Sequence, residues 1–348
     1  MINPSKAAQE ILAQRRNVGF DTYDITVKQL VDMVQEDTIN VSPDYQRRFV
    51  WDELRQSQLV ESIFLGIPIP SLFLATNEDS TWEVIDGLQR ITTLVNFVFP
   101  VGLQKDGSPY KELKLRGLEK IPSLNGANFD ALTSNLKLSF MTRPIRITVL
   151  NDLSDFQVRF DLFERLNTGG ITLHEQEIRN CVFQGRFNDF VKKCAGDPRL
   201  DRLVKRTDKT GRGNLEELVL KFFAYFEDRR EFRHSVKEFL NNYMEKKTKV
   251  FSNQEALEDI YIRTMDALSA ALPAGIARSN RPNSTPLVLF EAVTVGVADV
   301  IAGGGHVSAP ALQEILDDEG LKALTTGATN SLPKLIGRIE YVSYRVKA

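Results

Sequence analysis

The chain has 348 residues, of which 42% are hydrophobic and 26% are charged, and its 44 basic and 46 acidic side chains give a net charge of −2. This composition is that of an ordinary globular protein, so disordered, collagen-like and coiled-coil classes are excluded. The charge balance excludes a net-basic nucleic-acid binder of the histone type, but it allows a locally basic face. The length allows roughly two domains.

Two cysteines, Cys181 and Cys194, are too few for a disulfide framework, and the first residues have no apolar signal core. The apolar stretch 286–303 carries Glu291 and Asp299. Carboxylates are costly inside a bilayer, so this stretch predicts a buried helix rather than a membrane span. We therefore expect a soluble, cytoplasmic protein without membrane contact.

In chain order, short helices and strands mix up to residue 150, and helices follow almost to the end. The predicted N-terminal elements are a helix over 25–36, an extended segment over 40–51, a helix from an Asp52 cap to residue 65, strands over 71–75 and 82–85, a helix after Gly87 through Phe97, a loop-rich region over 101–140 and a strand over 143–150. The predicted C-terminal helices span 154–166, 173–184, 186–195, 214–228, 235–247, 253–271, 286–302, 309–323 and 329–345. This order favours an α+β class, with a small mixed N-terminal domain followed by an all-α helical domain.

The sharpest motif is 82–94 (WEVIDGLQRITTL), where a strand ends at Asp86-Gly87 and a helix begins at once. Backbone N–H groups at such a helix start favour an anion, and Gly87 would let a phosphate approach. Arg90 would add charge-assisted hydrogen bonds, and Asp86 would hold a magnesium ion directly or through water. The structural alternative is that Asp86 only caps the helix and Arg90 is solvated, because junctions of a strand, Asp-Gly and a helix are common.

The segment 43–51 (PDYQRRFVW) combines aromatic and arginine side chains in extended chain. Stacking on Tyr45 and guanidinium donors on Arg47 and Arg48 suit a nucleobase and its phosphates. The alternating spacing favours a second interpretation, in which the aromatic residues, including Trp51, face the core and the arginines face water.

A third motif starts where a predicted helix ends at 167–170 (NTGG) and another begins at Thr172, with Glu175 in position for a capping box. Glu175 and Arg179 form an i,i+4 pair. The polar residues around this turn are dense: Arg165, Asn167, Glu177, Arg179 and Asn180. Taken alone, the pattern favours a turn with a surface ion pair.

Other signals are weaker. The three histidines lack metal-ligand spacing, and the P-loop, Rossmann and nucleophile-elbow motifs do not occur. Residues 199–213 carry six Lys or Arg against two Asp. Such a run can follow a nucleic-acid backbone, although most are solvated loops. Its candidate DNA-binding residues are Lys205, Arg206, Lys209 and Arg212.

Together, the three motifs resemble the N-terminal domain of GmrSD-type, modification-dependent restriction systems, the GmrS-like part, whose fold is related to ParB and sulfiredoxin. The family pattern P-x-Y-Q-R-x-x-V-W corresponds to Pro43, Tyr45, Gln46, Arg47, Val50 and Trp51. Its Asp-Gly-Gln-Gln-Arg signature, followed by (Leu/Ile)-Thr-(Thr/Ser)-Leu, corresponds to residues 86–94. Its F-x-R-(Leu/Ile)-N-x-x-G-x-x-L and E-x-R-N elements correspond to Phe163, Arg165, Leu166, Asn167, Gly170, Leu173, Glu177, Arg179 and Asn180. The predicted division is an arm over 1–24, a ParB-like nucleotide-binding domain over 25–185 and a helical domain over 186–348.

The resemblance implies nucleotide binding, and hydrolysis as in relatives, coupled to control of DNA cleavage in defence against phage or other foreign DNA with modified bases. It implies catalytic roles for Asp86, Gln89 and Arg90, with Mg²⁺ at Asp86. It implies nucleotide contacts for Tyr45, Gln46, Arg47, Gly87, Thr92, Thr93, Arg165, Asn167, Glu177, Arg179 and Asn180. The expected partners are a nucleoside triphosphate, DNA and a separate nuclease chain.

Two departures from the family pattern matter. Leu88 replaces the first glutamine of the signature. Nucleotide binding through Gly87, Gln89 and Arg90 is still expected with this leucine, whereas the case for hydrolysis is weaker. Many relatives continue into a His-Asn-His nuclease domain, and no such pattern follows residue 185, so nuclease activity of this chain is the weakest hypothesis. The alternative function is a non-enzymatic DNA- or protein-binding module that keeps the fold as a scaffold. The nucleotide and the oligomeric state stay open.

Overall fold

The computed structural model describes residues 19–41, 49, 51–77, 79–99, 112–151, 156–166, 174–205 and 212–348. The chain divides into two compact units, Met1–Thr172 and Leu173–Ala348. The first unit contains the sheet and the second is helical, so the predicted α+β class is confirmed. The division lies N-terminal to the expected boundary after residue 185, and the helix that carries the E-x-R-N residues belongs to the second unit.

The described elements of the first unit are β1 (Phe20–Thr26), α1 (Val27–Gln35), β2 (Ile39–Asn40), α2 (Glu53–Leu65), β3 (Leu72–Thr76), β4 (Trp82–Asp86), α3 (Leu88–Val98), a 3₁₀ turn (Pro122–Leu124), α4 (Ser134–Met141), β5 (Pro144–Leu150) and α5 (Phe156–Leu166). The strands form one mixed sheet in the order β1-β5-β3-β4-β2. The β1–β5 and β3–β4 pairs are antiparallel, whereas β3–β5 and β2–β4 are parallel.

Two elements of the first unit were not predicted. β1 begins inside the expected N-terminal arm, and five of its seven residues are exposed, so its sequence lacks the alternation of a half-buried strand. Helix α4 lies in the region expected to be loop-rich and buries only Phe140 fully. In both cases the element gives too little apolar periodicity to be recognised from the sequence.

Helix α2 holds the loop after residue 112 by hydrogen bonds from its buried polar side chains. The Ser57 hydroxyl accepts from the Arg116 N–H at 3.0 Å, and the Glu61 carboxylate accepts from the N–H groups of Lys120 and Ile121 at 2.8 and 3.0 Å. These bonds satisfy backbone donors that the loop does not pair in a strand or helix. Residues 112–133 are therefore largely loop, as predicted, and side chains of α2 hold the backbone of this loop in place.

The described elements of the second unit are α6 (Glu175–Val182), α7 (Arg186–Ala195), α8 (Pro198–Leu203), α9 (Arg212–Asp228), a 3₁₀ turn (Arg229–Glu231), α10 (Val236–Lys249), α11 (Gln254–Ala271), α12 (Leu287–Ala302), α13 (Ala309–Glu314), a 3₁₀ turn (Ile315–Asp317), α14 (Glu319–Thr325) and α15 (Leu332–Val346). The expected helix over 309–323 is interrupted at Asp318, whose carboxylate caps α14 by accepting from the Leu321 N–H at 2.8 Å. The short helix α8 was not predicted.

Helix α12 is the buried centre of the second unit, as its sequence predicts. Each of its carboxylates has an arginine partner: Glu291 pairs with Arg338 at 2.8 Å, and Asp299 pairs with Arg229 at 2.8 Å. Burial raises the pKa of Asp299, and Arg229 opposes that shift. Within the described part of the chain, each helix is too short or too polar to cross a membrane.

Candidate functional site

The turn between β4 and α3 requires glycine at position 87. Gly87 is the N-cap of α3 and has a φ of 109°, a backbone conformation that residues with a side chain rarely adopt. A Cβ atom at this position would also overlap the Leu72 side chain, which covers the buried glycine from β3. The glycine therefore permits both the sharp turn and the close contact with Leu72.

The Arg90 side chain is buried and binds protein oxygen atoms on both sides of the turn. Its Nη2 lies 2.7 Å from Asp86 Oδ2, and its Nη1 donates to the carbonyl oxygens of Pro70 and Ser71, at 3.3 Å for Ser71. Burial lowers the pKa of Arg90, whereas Asp86 counteracts this shift. The guanidinium thus connects the end of β4, the start of α3 and the segment before β3.

This geometry corrects the structural alternative for the motif. The N-cap of α3 is Gly87 and not Asp86, and a glycine has no side chain that could make the capping hydrogen bond. Arg90 is enclosed rather than solvated. Asp86 instead pairs with an arginine one turn into the following helix. Phosphate binding by Arg90 stays a prediction, and it would require the guanidinium to leave or share its present acceptors.

Gln89 connects the first two motifs. Its side-chain oxygen accepts a hydrogen bond from the Trp51 N–H at 3.2 Å. The Trp51 carbonyl accepts from Nε2 of the buried Gln56 at 2.9 Å, and the Arg55 guanidinium lies 5.4 Å from the centre of the Trp51 ring. Glutamines of α2 and α3 therefore bind the backbone C=O and N–H of Trp51, respectively.

Trp51 is half-buried and packs against the core, as the alternating pattern predicts. Tyr45, Gln46 and Arg47, the predicted base- and phosphate-binding residues of this segment, lie outside the described residues.

Leu88, Thr92 and Thr93 complete the visible part of the signature. Leu88 is partly buried and packs against the hydrophobic core. Thr93 is fully buried, and its hydroxyl donates to the Gln89 carbonyl of the same helix at 2.7 Å. The Thr93 hydroxyl is therefore used within α3. The Thr92 hydroxyl oxygen is also enclosed, and within the described part of the structure it has no hydrogen-bond partner.

Sequence reasoning missed three contributors to this turn: Gln56, Leu72 and the Pro70–Ser71 carbonyls. Only Gln56 carried a signal, because a polar residue stands among the apolar positions of a predicted helix. The other two contributions depend on the pairing of β3 beside β4, which the local pattern does not specify.

Helix α5 carries the third motif of the first unit. Arg159 anchors it by donating to the Thr76 carbonyl at 3.0 Å and the Asn151 carbonyl at 3.3 Å, and Phe163 is buried. Arg165 is exposed near the end of the helix. Asn167 lies outside the described residues, and the nucleotide contacts expected of Arg165 and Asn167 stay predictions.

Residues 27–184 match the family model of the GmrSD restriction endonuclease N-terminal domain. This part of the chain is a GmrSD-type N-terminal domain. The family connects the chain with restriction of DNA and thereby with defence. No curated protein matches the chain. The relation to the ParB and sulfiredoxin folds stays a prediction.

The GmrSD segment ends two residues after α6, a helix of the second unit. The N-cap of α6 is His174, and the Glu177 carboxylate accepts from the His174 N–H at 2.9 Å. The expected capping pair of Thr172 and Glu175 is therefore wrong, because the helix begins later in the chain. The predicted pair of Glu175 and Arg179 is confirmed at 3.0 Å, but its expected surface position is wrong, because the Arg179 side chain is buried.

Arg179 and Asn180 are bound to side chains of the helical unit. Arg179 has no exposed surface, and it donates to Asn241 at 2.9 Å in addition to its ion pairs with Glu175 and Glu217. Asn180 donates to Glu216. These contacts favour a structural role for Arg179 and Asn180 of the E-x-R-N element. Nucleotide contacts by Glu177, Arg179 and Asn180 stay predictions, and for Arg179 they would require this network to open.

The basic run is only partly described. Lys205 is fixed through its backbone, since its N–H donates to the Thr285 hydroxyl at 2.8 Å and its carbonyl accepts from the Thr285 N–H at 3.0 Å. Arg206 and Lys209 lie outside the described residues, as does the side chain of Arg212, the first residue of α9. DNA binding by this run stays a prediction.

Proposed function

We propose that the chain is a nucleotide-binding, nucleotide-hydrolysing sensor subunit of a restriction system, which acts on DNA together with a separate nuclease. The observation that carries the proposal is the β4–Gly87–α3 turn within the GmrSD segment. There an 11-residue helix starts at a positive-φ glycine, which has no side chain with which to cap it. Amide donors and the helix dipole at such a start attract phosphate.

In this proposal the backbone N–H groups at the start of α3 bind the phosphate oxygens. The Arg90–Asp86 ion pair and the Arg90 bonds to the carbonyls before β3 fix the turn in the conformation that presents those groups. Gln89 orders the Trp51 end of the first motif. Phosphoryl transfer depends mainly on positioning and charge neutralisation, so a rigid turn is chemically relevant.

Magnesium fits this turn only together with the nucleotide. Among the described residues, no group of three or more His, Cys, Asp or Glu side chains could hold a metal, and one oxygen of Asp86 already pairs with Arg90. Magnesium often binds one or two carboxylates, with phosphate oxygens and waters as the other ligands. Asp86 would then contribute to the ion, directly or through water, and the bound ion would neutralise phosphate charge.

DNA would be contacted through the basic run that includes Lys205, Arg206, Lys209 and Arg212, and a separate nuclease would cut it. The GmrSD family supports the connection with DNA. Phosphate contacts by lysine and arginine are independent of sequence and weaken steeply with salt. The run would therefore supply affinity for DNA in general, and recognition of a modified base would come from elsewhere.

A second candidate function is a non-enzymatic DNA- or protein-binding module. The observation that favours it is the use of Arg90 and Arg179 inside the protein, where both guanidinium groups bind protein acceptors. Leu88, an aliphatic residue in place of the family's glutamine, points in the same direction.

The two functions are separated by nucleotide binding and phosphate release. Purified protein would be titrated with ATP, GTP, CTP and UTP in the presence of magnesium, with and without DNA, beside Asp86→Asn. This substitution removes the carboxylate charge but keeps a hydrogen-bond acceptor for Arg90. The matched control is Asp24→Asn. Asp24 lies on another strand of the same sheet as Asp86 and also pairs with an arginine, Arg146, at 2.9 Å.

The proposal expects saturable binding of at least one nucleotide, with binding and turnover reduced by Asp86→Asn and unaffected by Asp24→Asn. A folded wild-type protein that binds none of the four nucleotides would overturn it. Retained DNA binding in the same preparation would then favour the second candidate.

A further inference from the structure

Five charged side chains form a continuous row through the helical unit. We call Arg179, Glu217, Lys221, Glu291 and Arg338 the buried charge chain. The contacts along it are 3.4 Å from Arg179 to Glu217, 2.9 Å from Glu217 to Lys221, 3.5 Å from Lys221 to Glu291 and 2.8 Å from Glu291 to Arg338. The signs alternate, so each inner member lies between two groups of opposite charge.

The row is enclosed in protein. The exposed fractions of the Arg179, Arg338 and Glu291 side chains are 0%, 3% and 7%. Lys221 is nearly as buried, and Glu217 is the most exposed member. Burying a charge is costly unless it is paired and hydrogen-bonded. Glu175 pairs with Arg179 at one end, and the Thr329 carbonyl accepts from Arg338 at 3.0 Å at the other.

The charged forms of the inner members depend on their neighbours. Burial acts to lower the pKa of Lys221, yet Glu291 and Glu217 raise it above its ordinary value. Burial acts to raise the pKa of Glu217, yet Lys221 and Arg179 lower it. Removal of one member would leave the next one buried beside a single partner, and its preferred position would change.

The members come from four helices that are distant in sequence. Arg179 lies on α6, Glu217 and Lys221 on α9, Glu291 on α12 and Arg338 on α15. Helix α6 carries the GmrSD E-x-R-N residues, whereas α15 lies close to the last residue of the sequence. The Arg179 guanidinium therefore depends, through three intervening side chains, on a charge that α15 supplies.

We propose that the buried charge chain couples the packing of α6 to that of α15, so that a disturbance of α15 loosens α6. The buried charge chain would transmit this change within the helical unit, and the proposal does not depend on nucleotide binding. Coupling of this kind needs a continuous physical network with two arrangements, and local opening of α6 supplies the second arrangement.

The test is hydrogen exchange of the full-length protein, measured on the amides of α6. Arg338→Gln removes the charge at the α15 end and keeps a donor for Thr329. The matched control is Arg229→Gln, because Arg229 pairs with Asp299 of the same helix α12 but lies outside the charge chain. Amides of α11 serve as the internal reference for global stability.

The proposal expects exchange of the α6 amides to accelerate about tenfold in Arg338→Gln relative to α11, and to stay within about twofold of wild type in Arg229→Gln. Unchanged α6 exchange in Arg338→Gln, or equal acceleration in Arg229→Gln, would overturn it. If Arg338→Gln does not fold, we measure Glu291→Gln instead, an isosteric change at the neighbouring member of the buried charge chain. The same acceleration of α6 exchange is expected, and unchanged α6 exchange would overturn the proposal.

Discussion

The side-chain oxygen of Gln89 accepts a hydrogen bond at 3.2 Å from the backbone N–H of Trp51, 38 residues earlier in the chain. Each residue belongs to a different motif of the GmrSD domain, so the bond joins the end of the first motif to the middle of the second. Because Gln56 donates to the Trp51 carbonyl at 2.9 Å, side chains from two helices bind the Trp51 backbone, one at its N–H and one at its C=O. The structure thus gives Gln89 a positioning role beside its predicted catalytic one.

Gln89→Ala is expected to destabilise the folded protein by about 1–2 kcal/mol, because the partly buried Trp51 N–H would lose its acceptor. Urea unfolding followed by circular dichroism measures this difference. Gln89→Glu keeps an oxygen acceptor and should cost clearly less. Equal losses in the two variants would show that the hydrogen bond to Trp51 contributes little.

Gly87→Ala is expected to cost about 3 kcal/mol or more, since it combines a strained φ of 109° with overlap on Leu72. Gly126→Ala is the matched control in the same unit: its φ is 87°, but a Cβ there meets no atom within 4 Å. It should cost only the backbone strain, about 1–2 kcal/mol. Leu72→Ala is itself destabilising because Leu72 is fully buried. The double variant Leu72→Ala/Gly87→Ala should lose less stability than the sum of its two single variants. Thermal unfolding compares the two glycine variants, Leu72→Ala and the double variant.

The sequence predicts what depends on neighbouring residues. The strand, the Asp86-Gly87 turn and the helix after it follow one another directly, and the apolar stretch around Glu291 predicts a buried helix. Arg90 shows the limit: its acceptors at Pro70 and Ser71 become available only because β3 pairs with β4. Arg179 shows the same limit, because its partners Glu217 and Asn241 lie on helices that are distant in the sequence. Exposed β1 has no local pattern at all.

Cys194 is expected to react slowly with thiol reagents, because burial raises its pKa from the ordinary 9.0 to about 12. The thiolate is the reactive form, so at about pH 8 the folded protein should react roughly a thousandfold more slowly than a thiol of ordinary pKa. The measurement uses a Cys181→Ser variant and a chromogenic disulfide, in buffer and in denaturant. Serine keeps a donor for the Glu177 carbonyl that the Cys181 thiol contacts at 2.9 Å. Equal rates in the two solvents would contradict the expectation.

Leu88→Gln restores the family's signature and tests whether the missing amide limits hydrolysis. Leu88 is partly buried against the core, so the exchange should reduce the free energy of unfolding by about 1 kcal/mol through lost apolar burial. The glutamine of the family signature could bond a base, a ribose or the attacking water, and we expect the added amide to orient that water at the proposed site. Phosphate release at saturating nucleotide should then rise about tenfold over wild type, with little change in nucleotide affinity.

Leu88→Met is the control for this substitution, because it changes the shape of the side chain and adds no amide. It should leave phosphate release at the wild-type level. Nucleotide binding that is intact in Leu88→Gln, together with release no faster than in Leu88→Met, would separate binding from hydrolysis. The turn would then bind a nucleotide as a regulatory ligand, and the leucine would have no catalytic consequence.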